Sequence, residues 1–259
     1  MMRFPLRLTA DLALVRFAPK SRSAQSAGPI QFVDAAEILH HDSSHPVSHE
    51  KIREINSGRS PVVWIGGCEP LHHPGIAHLV RSITQTGHFV FLETDGKLLR
   101  RRIHEFQPVP RLFLTVRLES AGPPRASERL LPSVFELAGE GLRAARLSGF
   151  LICAHARVHA ETELGAMAEV IQFAHSTDVD GIVITTENGV SNSTSVDAET
   201  LQQKTVEARK LIGSMWWESF SRIVEPVLSS HRSAARNTKE SGASFERESD
   251  ADEEGVGIA

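Results

Sequence analysis

Residues 62–74 read Val62-Val63-Trp64-Ile65-Gly66-Gly67-Cys68-Glu69-Pro70-Leu71-His72-His73-Pro74. Four apolar residues between Pro61 and a Gly-Gly pair predict a short buried strand, and Pro74 is placed to open a helix over Gly75–Thr86. Strand, glycine turn and helix make one βα unit. In a parallel α/β protein such a turn lies at the carboxyl end of the strands, where ligands bind, and paired glycines let backbone approach a ligand closely. Glu69 is then an acid held at that mouth. Taken alone, the stretch also fits a tight turn followed by a helix start.

A second stretch repeats the arrangement: His88-Phe89-Val90-Phe91-Leu92-Glu93-Thr94-Asp95-Gly96-Lys97-Leu98-Leu99 reads as strand, polar glycine turn and helix. Together, GGCEPLHHP and LETDGKLL resemble the second and third βα units of the radical S-adenosylmethionine (SAM) superfamily, which typically read GGEPLLHP and TNGxLL. The resemblance runs from about Pro29 to Thr186. It implies a partial (β/α)6 TIM-like barrel, a SAM site at the mouth and, in active members, a four-iron, four-sulfur cluster. Carried over from the family's GGEP turn, it places SAM contacts at Gly66, Gly67 and Glu69, with Thr94 and Arg117 as further candidate contacts.

The 259 residues, 41% of them hydrophobic and 23% charged, suffice for one sizeable core with appendages. A net charge of −4 gives no electrostatic case for nucleic acid. No apolar run approaches the roughly eighteen residues that span a bilayer, and Asp11 and Arg16 interrupt any secretory h-region, so the expected compartment is the cytoplasm. Only Cys68 and Cys153 are present, which leaves no disulfide framework and no multi-cysteine zinc site.

Strand candidates are Ile30–Asp34, Val62–Ile65, Phe89–Glu93, Leu112–Leu118, Phe150–Val158 and Ile182–Thr185. Helices are expected near Glu50–Asn56, Gly75–Thr86, Lys97–Phe106, Ser127–Leu147 and Glu161–Ser176, with a long one over Ala198–Val227. This alternation predicts a parallel sheet with helical crossovers. Periodicity alone leaves a doubly wound open sheet as the other closure; the resemblance favours the partial barrel. The chain divides into an N-terminal helix and linker (1–28), the barrel (29–190), a C-terminal helix (191–228) and a Ser-, Arg- and acid-rich tail (229–259) expected to be disordered by composition. In the first segment Thr9 is a candidate N-cap, and docking on the barrel competes with a membrane-surface role for Arg3, Arg7, Arg16 and Lys20. Trp216-Trp217 are expected to cover the barrel, with an oligomer contact as the alternative.

Alternation within the strands sets one face of the fourth as Thr115 and Arg117 and one face of the fifth as Cys153, His155 and Arg157. If the other faces meet the helices, these five point into the barrel. Two inward arginines need counter-charges, from Glu69, Glu93 and Glu119 or from a charged ligand.

An active radical SAM enzyme holds its cluster through a CxxxCxxC loop after the first strand, because soft anionic thiolates cage iron at a low potential. Here that loop, Asp34 to Pro46, contains no cysteine. It holds His40, His41 and His45 with Glu37 and Asp42, and His49 lies just beyond it, donors that suit zinc or ferrous iron; His72 and His73 follow on the next loop. His40, His41, His45 and Cys68 are the metal-ligand candidates. Cys68 at a helix start is also a candidate nucleophile, with a buried inert thiol as the plainer reading. Walker A, GxSxG and HExxH patterns are missing.

Four readings follow, the fourth a purely structural one in which the barrel interior is self-satisfied and the Trp216 helix is the interaction surface. The first is a radical-SAM-like barrel without the cluster cysteines, a degenerate site acting in binding or regulation toward a small molecule or protein partner, with weak residual SAM binding. The second is an active radical SAM enzyme with atypical cluster ligands. The third is a histidine-ligated metal-dependent lyase or hydrolase.

Overall fold

The structure is a computed structural model that describes residues 2, 4–17, 28–38, 47–118, 134–186 and 195–231. Its centre is a six-stranded, wholly parallel sheet in the order β1 (Ile30–Asp34), β2 (Val62–Gly66), β3 (Phe89–Thr94), β4 (Leu112–Leu118), β5 (Leu151–Val158), β6 (Gly181–Thr186). Spatial order equal to chain order excludes a doubly wound sheet, which needs a reversal of strand order. The sheet is a half-barrel, a partial TIM-like α/β fold. The strands are buried on both faces, as helix-covered parallel strands must be, and this is why they read as near-continuous apolar runs.

The helices are α1 (Leu6–Phe17), a single turn α2 (Ala35–Ile38), α3 (His49–Ser57), α4 (Ile76–Gln85), a single turn α5 (Leu99–Arg102), α6 (Val134–Leu147), α7 (Leu164–Ser176), α8 (Ser195–Lys210) and α9 (residues 215–231). Several depart from expectation for local reasons. The helix expected to open at Pro74 starts at Ile76 with Gly75 as its cap, because Pro70 opens a separate 3-10 turn, Pro70–His72. The helix expected over Lys97–Phe106 breaks into α5 and a 3-10 turn at Ile103–Glu105. Thr162 caps the preceding loop by accepting from the His159 amide at 2.9 Å, which delays α7 to Leu164. Thr9 is no N-cap: it lies inside α1 and its hydroxyl donates back to the Pro5 carbonyl.

The largest departure is at the C-terminus. The single helix expected over Ala198–Val227 is two, divided at Gly213, whose φ of +68° ends α8. The turn sends α9 back along the strand direction, and it continues through His231, into the span expected as tail. Along β6 the Ile184 amide donates to Ser221, the Thr186 amide donates to Glu225, and the Ile184 carbonyl accepts from Arg209. These bonds satisfy an edge that a seventh strand would otherwise take.

α9 also fills the concave face. Trp64, Phe91 and Phe113 stand in one inward row across β2, β3 and β4, stacked at 5.3 and 4.6 Å. Phe220 packs on Phe91 at 5.1 Å and Trp217 lies edge-on to Phe113 at 5.8 Å. Trp217 is fully buried, and a Cβ on Gly181 would lie 2.1 Å from its indole, so only glycine lets β6 approach. Phe4, ahead of α1, closes the cluster against Trp217 at 4.9 Å. Docking of the N-terminal segment on the barrel is therefore observed, and Trp217 rather than Trp216 covers the bore.

Candidate functional site

With the lower bore packed by aromatics, what remains open is the mouth at the strands' carboxyl ends. A cavity of about 200 Å³ there is lined by Phe32, Asp34, Gly67, Glu93, Arg117, His155, Arg157, Leu228 and His231. Pairing of Arg117 with His155, and of Arg157 with Thr185, puts their side chains on the inward face, as alternation predicted. Thr115 and Cys153 share that face one layer below and are fully buried.

Glu93 is the hub. One carboxylate oxygen accepts from the Trp64 indole at 2.8 Å; the other accepts from Arg157 at 3.2 Å and from His155 Nδ1 at 3.3 Å, with Arg117 at 3.6 Å. Burial by itself pushes this carboxyl's pKa up, but the neighbouring His155, with its hydrogen bond, and the Arg157 and Arg117 guanidinium groups outweigh it and hold the pKa well below the ordinary range. An ionised carboxylate only accepts, so His155 Nδ1 carries a proton, while Nε2 lies 2.9 Å from the Thr185 hydroxyl. Glu93 and His155 are buried, whereas the Arg117 and Arg157 side chains are 23% and 24% exposed at the rim.

The two glycine turns are stitched together by Glu69. It caps the Pro70–His72 turn by accepting from the Leu71 amide at 3.1 Å, and it accepts from the Thr94 hydroxyl and the Asp95 amide, each at 2.7 Å. Thr94 in turn accepts from the Gly96 amide at 3.1 Å. Burial raises the Glu69 pKa, Asp95 adds to the rise, and the three donors oppose it. Gly67 has φ of +92°, and a Cβ there would fall 2.3 Å from an Asp34 carboxylate oxygen. On Gly66 it would fall 2.8 Å from Glu93. Here the glycine pair is required by the carboxylates packed against it.

Of the SAM contacts implied by resemblance, Gly67 and Arg117 line the cavity, Gly66 backs onto Glu93, and Glu69 and Thr94 are bonded to each other beneath the rim. Arg117 joins the two sets, 3.9 Å from Glu69. His40, His41 and His45 lie outside the described residues, as does Glu119. Among the described residues no group of three or more His, Cys, Asp or Glu is arranged to hold a metal ion. His73 is buried and its Nδ1 accepts from the Gly75 amide at 2.9 Å; His72 is exposed.

The thiols do not suit a cluster. Cys68 is exposed in the turn after β2, while Cys153 is buried in β5, three strand spacings or about 14 Å across the sheet. Burial and the Asp34 charge raise the Cys68 pKa, the wrong direction for a nucleophile; burial raises that of Cys153 strongly. A three-thiolate site cannot be assembled from this chain's two cysteines.

Mouth residues that sequence reasoning missed are Asp34, which accepts from the Ala36 amide at 2.8 Å, Phe32, Leu228 and His231. The His231 ring stacks on Phe32 at 4.5 Å, joining the end of α9 to β1. No local signal marks a helix returning to the first strand.

No protein-family model and no curated protein matches the chain. Among solved structures, it is similar to Streptococcus suis SuiB bound to S-adenosylmethionine (12% identity, TM-score 0.47, covering 64% of this chain and 42% of that one). It is also similar to TYW1 with a lysine-pyruvate adduct bound (17%, TM-score 0.45, 64% and 53%) and to an archaeal TYW1 (15%, TM-score 0.40, 61% and 52%). The chain spans about half the length of these proteins. The half-barrel assignment rests on strand order and register.

Proposed function

We propose that this chain is a radical-SAM-like half-barrel that acts by binding a small carboxylate-bearing molecule at its mouth, without generating radicals on a cluster of its own. The observation that carries the reading is the pair Arg117 and Arg157. Both guanidinium groups line the cavity, Arg117 lying 3.6 Å from Glu93 and 3.9 Å from Glu69 and Arg157 3.2 Å from Glu93, so two cations border the space that a ligand carboxylate would enter.

The amino-acid end of SAM fits this chemistry: its carboxylate would meet the two arginines, and its ammonium group would face the Asp34 carboxylate that also lines the cavity. The cavity's volume of about 200 Å³ is below the roughly 300–1,000 Å³ of sites for drug-sized ligands, so the amino-acid end is the part of SAM that it matches in size. SAM therefore binds weakly. Two charge-assisted contacts at about 2 kcal/mol each give a dissociation constant on the order of 1 mM. The two cysteines, one exposed in a turn and one in the barrel wall, support the absence of a self-held cubane.

The test combines anaerobic reconstitution with iron and sulfide, read by metal analysis and reduced-state electron paramagnetic resonance, with calorimetric titration of methionine and SAM. The reading expects no stoichiometric four-iron, four-sulfur signal and weak binding of both ligands that Arg157→Gln removes. A stoichiometric cluster perturbed by SAM would overturn it in favour of an active enzyme with atypical ligands. Iron or zinc retained without sulfide would favour histidine-ligated metal chemistry.

A further inference from the structure

A parallel half-barrel sorts its ends: the mouth holds the strands' carboxyl ends, and the opposite end holds strand starts and the carboxyl ends of the helices between them. On that opposite end lie Leu6 (86% exposed), Leu147 (90%), Leu211 (42%), Met215 (73%) and Trp216 (52%). Among the described residues the sixth exposed large hydrophobic side chain, Leu14, is further along α1, so apolar exposure is concentrated at this end. Phe4 joins two of these elements by stacking on Trp216 at 6.2 Å.

The same end is basic. Arg7 and Lys210 are exposed beside Leu6 and Leu211. A groove of about 400 Å³ between α1 and the barrel floor has Pro5, Phe89 and Val109 for walls and Arg7 and Arg111 on its rim. The Arg111 guanidinium is held 5.1 Å over the Phe89 ring and donates to the Gly87 carbonyl, which fixes its direction. Acids at this end are paired: Asp178 and Asp180 share Arg146, Glu105 pairs with Arg102, and Glu218, just after Trp217, pairs with Arg222.

We infer that this end docks on the surface of an anionic lipid bilayer, with Leu6, Leu211, Met215 and Trp216 entering the acyl boundary and Arg7, Arg111 and Lys210 meeting headgroup phosphates. Apolar side chains with an indole among them, ringed by cations, match the headgroup–acyl interface in both polarity and charge. A second copy is a poorer match, because a two-fold contact would set these cations against their own images. No helix among the described residues is long and apolar enough to cross a membrane, so the contact is interfacial. Docking this way turns the mouth away from the bilayer and leaves it open to soluble ligands.

The full chain is sedimented with phosphatidylcholine vesicles, with and without phosphatidylglycerol, while tryptophan emission is followed. Trp64 and Trp217 are fully buried, so a blue shift reports Trp216. Binding is expected only with phosphatidylglycerol, weakened by salt, and lowered about fivefold by Arg7→Gln and again by Lys210→Gln. Trp216→Ser abolishes the shift and weakens partitioning, with the mouth and its ligands unaffected. Three results overturn the inference: no vesicle binding, equal binding to neutral vesicles, or partitioning insensitive to these surface substitutions. Self-association in sedimentation that Trp216→Ser abolishes would assign the face to a second copy instead.

Discussion

Replacing Glu93 by glutamine keeps its shape and removes the charge on which the mouth is built. The Trp64 indole can still donate to the amide oxygen, but the amide nitrogen then faces the donors of His155 and Arg157. Breaking a buried ion pair from one side costs about 3–5 kcal/mol. Arg117 and Arg157 are about a quarter exposed and recover some hydration, which places Glu93→Gln near the lower end, about 3 kcal/mol. For a domain of this size that lowers Tm by roughly 6–12 °C. The sign with pH is fixed by the depressed carboxyl. Its stabilisation is fully present above the ordinary value of 4.5 and is lost as pH falls from there toward the lower folded value. The wild-type advantage over Glu93→Gln should therefore narrow as pH drops below 4.5. Thermal melts followed by circular dichroism from neutral pH into the acid range measure both effects. A Tm loss under about 2 °C, or a gap that does not change with pH, would refute Glu93 as the ionised hub.

Gly67→Ala should destabilise by about 1–3 kcal/mol, because it adds a Cβ at φ of +92° and 2.3 Å from Asp34. Gly149→Ala, at φ of +80° with nothing within 4 Å, isolates the backbone strain and should cost about 1 kcal/mol; equal urea midpoints for the two would argue against the Asp34 clash. Trp217→Ala should cost about 3–5 kcal/mol by emptying the bore, and Trp216→Ala less than about 1 kcal/mol; a reversed order in equilibrium denaturation would contradict the placement of α9.

Strands were legible because each is a short apolar run between breakers, and a wholly parallel, doubly covered sheet makes such runs nearly continuous. All six expected strands end within one residue of those observed. The inward set Arg117, His155 and Arg157 followed from alternation alone, since a period of two fixes the face once the strand is placed. The helices' true ends were less legible, because caps such as Thr162 and breaks such as Gly213 depend on bonds or φ values that a window of residue types does not encode. Least legible was α9. Its burial of Trp217, its cap on β6 and its His231 contact with Phe32 join residues far apart in sequence, and the same apolar residues would suit a helix lying outside the barrel. Glu69 illustrates a different limit: its place after the second strand was readable from spacing, but its three donors come from two loops and occupy it structurally.

The placement of α9 constrains what the mouth can do. Six strands leave a concave face and two open edges, and any polar ligand in the bore would have to displace Trp217 and Phe220 from the inward aromatic row. Truncating a buried tryptophan or phenylalanine costs about 3–5 kcal/mol each, so displacing both costs more than the roughly 4 kcal/mol that two arginine contacts can return. A small ligand therefore stays in the upper layer, bounded below by Thr115 and Cys153 and at the side by Leu228 and His231. Chemistry that needs a large substrate deep in the barrel requires α9 to leave, and its departure would also unsatisfy the Ile184 and Thr186 amides of β6. The proposed binding at the rim leaves α9 in place and carries neither cost.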